Sequence, residues 1–287
     1  MINILVTGSN GQLGSELRKY QELFQNARLD FTDVDVLDIT DKNALSEYCS
    51  LKSYQYIINC AAYTAVDKAE SEPALAHKIN VEAVRNLVDI ASTNNAFIIH
   101  VSTDYVFAGK NYLPYKEDDP ILPQSVYGKT KADGEAEVLK YPKSIIIRTS
   151  WLYSSFGNNF VKTIVRLSKE KEKLTVIYDQ IGTPTFAGDL AKAIISVINF
   201  QLENPEQPGV YHFSNEGVCS WYDFANEIAE MTNSNCKIMP IETKDYPSPT
   251  QRPYYSVLNK SKIKATFGIT IPHWKESLKY CLKEINK

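Results

Sequence analysis

The first fourteen residues constrain this chain more than any other stretch. Ile2–Val6 is a short, β-branched apolar run, and Thr7-Gly8-Ser9-Asn10-Gly11-Gln12-Leu13-Gly14 follows it directly. Beyond it Leu13, Leu17, Tyr20, Leu23 and Phe24 recur at helical steps, which predicts one apolar stripe on a helix. A strand that turns through three spaced glycines into a helix is a phosphate-binding turn. Gly8 permits the tight turn, Gly11 lets a pyrophosphate approach the backbone, and Gly14 lets the helix pack closely on the strand. The helix N-terminus adds unpaired N–H groups and the positive end of its dipole. The ligand expected there is a dinucleotide.

The same alternation continues along the chain. Ile2–Val6, Ala27–Phe31, Tyr56–Asn59, Phe97–Ser102 and Ser144–Arg148 read as strands, each short, rich in Ile and Val, and ended by polar or turn residues. Their continuous hydrophobicity implies burial on both faces, as in a parallel sheet. Ala83, Leu87, Ile90 and Ala91 mark a helix between two of them. The expected fold is α/β, a doubly wound parallel sheet of the Rossmann kind. Past Trp151 the pattern loosens. Helices are expected over Asn158–Ser168, Gly188–Leu202 and Tyr222–Met231 and from about Trp274, with a strand near Val210–Phe213. We expect residues 1–150 to form the nucleotide-binding domain, with later segments returning to it, and 151–287 mainly a smaller, interleaved C-terminal α/β subdomain that binds substrate.

Composition narrows the function classes. A chain of 287 residues with 44% hydrophobic residues has ample core, and a net charge of −3 gives no basic surface for nucleic acid or anionic membranes. Its apolar runs are strand-sized, far below the ~20 residues of a spanning helix. The opening residues are expected to be a buried strand rather than a secretory leader. Cys49, Cys60, Cys219, Cys236 and Cys281 are scattered, an odd set that argues against disulfides and structural zinc and for a reducing, cytoplasmic setting. His77, His100, His212 and His273 show no ligand spacing, so packed or surface roles are expected and no metal ligand is assigned.

Candidate chemistry falls at three further places. Asp33 follows the second strand, where an acid can accept hydrogen bonds from the adenosine ribose, and Asp30 is its rival. An acid there favours NADH over NADPH, but the register leaves both open. Tyr127 and Lys131 are four apart at the start of a helical stretch running to about Lys140, so they share a face. Carbonyl reduction by hydride needs a proton for the nascent alkoxide. A tyrosine beside an ammonium, its pKa drawn down toward the working pH, can supply it. Tyr112 and Lys116 repeat the spacing in a Pro-containing, less helical context. The strand Phe97–Val101 ends in Ser102-Thr103-Asp104, 24 residues before Tyr127 for Thr103, at the sheet edge where ligands bind. Thr103, with Ser102 as alternate, is expected to hydrogen-bond the substrate carbonyl.

The glycine spacing resembles that of extended short-chain dehydrogenases, and the chain as a whole resembles the dTDP-4-dehydrorhamnose reductases. The resemblance rests on Thr7–Gly14, Asp38-Ile39, the block Asn59–Glu70, Ser102–Phe107, Tyr127–Lys131, Arg148–Trp151, Gly157–Phe160, Asp179–Thr185, and Arg252-Pro253 with Ser256 and Leu258. It implies NADPH or NADH as cofactor, bordered by Asn10, Gln12, Leu13, Asp38, Ile39, Ala61, Ala62, Tyr63 and Thr64 beside the glycines, with Tyr127 and Lys131. Thr103, Asp104, Trp151 and Arg252 would meet a dTDP-linked deoxy-sugar, with Arg252 facing the diphosphate or pairing with a surface carboxylate. The implied reaction is reduction of the C4 keto group of dTDP-4-dehydro-L-rhamnose to dTDP-L-rhamnose, by a monomer or homodimer. Rival readings are a reductase or epimerase of another nucleotide-linked keto-sugar, and a non-catalytic dinucleotide-binding regulatory subunit. Some family members carry Mg2+ at a dimer interface, and nothing in these residues supports that ion.

Overall fold

The computed structural model describes residues 1–287. Six parallel strands form its central sheet: β1 Ile2–Thr7, β2 Ala27–Phe31, β3 Tyr56–Asn59, β4 Phe97–Thr103, β5 Ser144–Thr149 and β6 Gly209–His212. They lie in the order β6-β5-β4-β3-β1-β2. Strand residues alternate between two cores. Ile4, Val6, Ile58, Ile99 and Ile147 face one core, closed by helix α1 (Gln12–Lys19) and the helix Ala187–Glu203. Leu5, Ile57, Ile98 and Ile146 face the other, closed by the helices Lys42–Ser50 and Ala83–Thr93. Cover on both faces is why the strands are apolar throughout rather than alternating. Because β1 is followed in sequence by β2 on one side and flanked by β3 on the other, a crevice opens at the carboxyl ends of β1 and β3.

A separate core lies beyond the main sheet. It joins the helices Phe160–Glu170, Trp221–Met231 and Trp274–Ile285 to a parallel strand pair, Lys173–Ile177 with Lys237–Ile241. Between the segments that build it, the chain returns to the main sheet as the helix Ala187–Glu203 and strand β6.

Two local departures from the sequence pattern have clear causes. The stripe running to Phe24 predicts a longer first helix, yet α1 stops at Lys19, a single 3-10 turn spans Gln21–Leu23, and Leu23 is exposed. The chain must reverse there to enter β2, and Asn26 takes a left-handed φ of 49° to do so. The helix before Ala83 also carries an extra residue, a π segment over Lys78–Glu82. It turns Asn80 inward, where the side chain bonds the Tyr63 backbone on one side and the Thr130 hydroxyl on the other. No helix is long and apolar enough to cross a membrane.

Candidate active site

The glycine turn is built against the end of β3. Gly8 has φ +66°, and a Cβ there would stand 2.5 Å from the Ala61 nitrogen. A Cβ on Gly14 would lie 2.4 Å from Ser9 Cα, so α1 approaches its own turn closer than alanine allows. Around Gly11 the nearest atom to such a Cβ is the Gly8 carbonyl oxygen at 3.2 Å, so the protein itself presses on this glycine far less. Gly11 caps α1 without any side-chain hydrogen bond. The N–H groups of Gln12, Leu13 and Gly14 thus form an uncapped helix start at the crevice. This cradle fits a dinucleotide pyrophosphate. We expect Gly14→Ala to weaken dinucleotide binding at least about tenfold by forcing α1 outward, which fluorescence titration with each reduced dinucleotide would measure.

Of the two candidate ribose acids, the structure brings only Asp33 to the turn. Its carboxylate accepts the Asn10 N–H and the Val34 N–H, each at 2.8 Å. Asp30 points elsewhere, held by Lys52 at 2.6 Å and the Tyr54 hydroxyl at 2.5 Å. Asp38 is half-buried and accepts the Thr40 N–H, while Ile39 is buried in the core beside Leu45. Ala61 and Ala62 are half-buried along the crevice, and Thr64 is exposed. Tyr63 is tied down at both ends, its N–H donating to Asn80 and its hydroxyl to Glu72.

The helix Val126–Val138 begins at Ser125, whose hydroxyl accepts the Gly128 N–H at 3.0 Å. Gly128 lets that helix press on the turn after β4, since a Cβ there would sit 2.3 Å from the Tyr105 carbonyl oxygen. Tyr127 is thereby brought against Tyr105 edge-on and beside Thr103. Tyr127, Lys131 and Thr103 are all buried. Burial pushes Tyr127 up to about 12, the nearby Thr103 hydroxyl works against the rise, and the Asp104 carboxylate adds to it. Burial draws Lys131 down to about 8, with Glu135 and Cys60 opposing. Its Nζ donates to the Val101 carbonyl at 2.8 Å and lies 3.3 Å from His100 Nε2. The expected depression of Tyr127 by Lys131 is not met, since burial pushes the phenol up. The lysine is turned toward β4 instead.

Ser102 is buried with its hydroxyl unpartnered, whereas the Thr103 hydroxyl accepts the Tyr105 N–H at 3.3 Å. Thr103 also donates to Asp104 Oδ1 at 2.9 Å. The other oxygen, Oδ2, is buried with no partner. Burial pushes Asp104 up to about 7, opposed by Thr103 and Ser256. A carboxyl raised by folding contributes stability at low pH that is lost as pH climbs through about 7. Asp104→Asn keeps the shape without the charge. Its melting temperature should match the parent near about pH 4 and exceed it increasingly up to about pH 7.

Trp151 takes a left-handed φ of 47° and stacks on Trp221 with centroids 3.6 Å apart. Both rings are half-buried against the second core, with Phe160 beside Trp221. Arg252 lines a cleft with Tyr105, Gln124 and Gln251. It pairs with Asp67 at 2.9 Å, and its Nε is buried without a partner. The carboxylate alternative is the contact seen here, a half-buried pair. Sequence reasoning missed Asn59, Glu72, Asn80 and the positioning contacts of His100. The one available signal was a polar residue inside or ending an apolar run, as with His100 in Phe97–Val101.

Fold and site together fit an oxidoreductase of the extended short-chain dehydrogenase class, with a glycine turn shaped for a dinucleotide. Over residues 2–287 the chain matches the family described as RmlD substrate binding domain, and it belongs to that family, the dTDP-4-dehydrorhamnose reductases. It is 43% identical to the dTDP-4-dehydrorhamnose reductase of Aggregatibacter actinomycetemcomitans, over 97% of this chain and 98% of that one. A crystal structure of a dTDP-4-dehydrorhamnose reductase from Clostridium acetobutylicum superposes with a TM-score of 0.95 at 44% identity, covering 100% of both chains. One from Bacillus anthracis, solved in complex with NADP, gives 0.92 at 36% identity over 99% of this chain and 100% of the other.

Proposed function

We propose that this chain reduces the C4 keto group of dTDP-4-dehydro-L-rhamnose, giving dTDP-L-rhamnose, with NADPH or NADH. The observation that carries the reading is the buried group of Thr103, Tyr127 and Lys131 at the carboxyl end of β4, on the same sheet edge as the uncapped glycine turn. The reduced nicotinamide supplies the hydride when bound. Tyr127, protonated throughout the neutral range, delivers its proton to the carbonyl oxygen. Thr103 hydrogen-bonds that oxygen as charge develops on it. Lys131 anchors the cofactor ribose, and Gly8, Asn10, Gly11, Gln12, Leu13 and Gly14 hold the pyrophosphate. Asp33 lies toward the adenosine ribose, and Asp38, Ile39 and Ala61–Thr64 border the rest of the cofactor.

Asp104, with one carboxyl oxygen buried and unpartnered, receives a sugar hydroxyl. Trp151 lines the sugar pocket, and Arg252 exchanges Asp67 for the diphosphate. In this assignment residues 1–150 mainly bind the dinucleotide and 151–287 mainly the sugar nucleotide. A nucleotide-sugar substrate fits a cytoplasmic enzyme. The test is cofactor oxidation with dTDP-4-dehydro-L-rhamnose against a panel of other nucleotide-linked keto-sugars. Preferred turnover of the first supports the proposal. Preference for another sugar, or binding without turnover, overturns it.

A further inference from the structure

Two opposite charges flank the glycine turn at the end of β2. Asp33 is the negative one, and backbone N–H groups hold both of its oxygens, Oδ2 from Asn10 and Oδ1 from Val34, each at 2.8 Å. A carboxylate fixed beside the adenosine ribose accepts from a 2′-hydroxyl and repels a 2′-phosphate. A chain that carries it takes NADPH only if a cation meets that phosphate. Arg18 is the positive charge at this corner. It lies four residues past Gly14 on α1, the helix whose start cradles the pyrophosphate. Its side chain reaches back to the turn, where Nη2 donates to the Ser9 hydroxyl at 3.0 Å. Its guanidinium carbon stands 4.9 Å from the centre of the Phe31 ring, two residues before Asp33. The Ser9 N–H donates to the Thr32 carbonyl at 3.0 Å, which ties the turn to the end of β2.

We propose that Arg18 is a specificity-determining residue for the dinucleotide, receiving the adenosine 2′-phosphate of NADPH beside Asp33. This rests on the glycine turn holding a dinucleotide and is independent of the sugar. Arg18 is exposed and free to turn. Lys19, next to it, is committed to Glu284 at 2.7 Å, and Lys52 to Asp30 on β2 at 2.6 Å. Arg18 has only the neutral Ser9 hydroxyl. Exchanging that contact for a phosphate gains a charged acceptor, and the fork of a guanidinium matches phosphate oxygens. The Phe31 ring meanwhile keeps the side chain at the corner without a competing acid. NADH offers a hydroxyl in place of the phosphate, and there Asp33 is the partner. One corner thus admits either dinucleotide, each through a different side chain.

Binding alone tests this, with no sugar present. NADPH and NADH are titrated by fluorescence against the parent protein, Arg18→Met, Arg18→Lys and Asp33→Asn. Arg18→Met should lose about tenfold or more in NADPH affinity, the worth of one charged hydrogen bond, with NADH nearly unchanged. Arg18→Lys keeps the charge without the fork and should recover part of the loss. Asp33→Asn should act in the opposite sense, strengthening NADPH and weakening NADH. An arginine that merely braces the turn through Ser9 would weaken both dinucleotides alike when removed, and that result overturns the proposal. The parent protein gives a second reading. Added salt should erode its NADPH affinity more than its NADH affinity, and adenosine 2′,5′-bisphosphate should compete better than 5′-AMP. Equal salt dependence, or no advantage from the 2′-phosphate, overturns the proposal even if no variant folds. Binding of neither dinucleotide overturns it together with the cofactor reading beneath it.

Discussion

Tyr127→Phe should lower kcat by roughly 10²- to 10⁴-fold, the usual worth of one positioned acid. Phenylalanine fills the same space against Tyr105, so the helix Val126–Val138 and the neighbouring Asp104–Val106 turn should not move. What disappears is the phenolic proton on the buried helix face beside Thr103. If that proton is used in the transition state, kcat and kcat/KM should fall together, with NADPH affinity nearly unchanged. Steady-state kinetics with a cofactor titration separates the cases. A rise in KM alone would mean that Tyr127 binds substrate without serving as the acid.

The largest stability effect is expected at Arg148. Its guanidinium is buried on β5 and grips Glu135 of the same helix through contacts of 2.7 and 2.9 Å. It also donates to the Glu117 carbonyl and lies over the Phe107 ring. Arg148→Met would leave Glu135 buried and unpaired, a loss of about 3–5 kcal/mol. For a domain of this size class that corresponds to a fall on the order of 10 °C in Tm. Adding Glu135→Leu should restore much of it, because two apolar groups carry no desolvation penalty. Thermal melts of the single and double variants decide. A double variant no more stable than the single would mean that the arginine matters for packing rather than for the charge it covers. Because the pair clamps the Tyr127 helix to the sheet, the single variant should also lose activity.

How much was legible in the sequence depended on how local its cause is. The five strands β1–β5 fall within a residue of expectation, because burial on both faces writes a continuous apolar run. The helix expected over Asn158–Ser168 begins at Phe160, with Asn159 as its cap, accepting the Lys162 N–H. The strand pair Lys173–Ile177 with Lys237–Ile241 escaped notice, being short, half-exposed and paired across a long sequence separation. In the site, Gly8–Gly14 and the Tyr127–Lys131 spacing were visible because each is a local motif. The direction of Lys131 was not. Its Nζ meets the Val101 carbonyl and His100, 30 and 31 residues away. Arg148 and Glu135 were likewise invisible as a pair, since only the packing of helix on sheet brings them together.

The most direct test of the account uses NADPH carrying deuterium at the transferable position of its nicotinamide, with dTDP-4-dehydro-L-rhamnose and the intact protein. The expected product is dTDP-L-rhamnose with deuterium at C4 and nowhere else. Deuterium at another carbon, a C4 epimer as the product, or binding of both ligands with no transfer would contradict it.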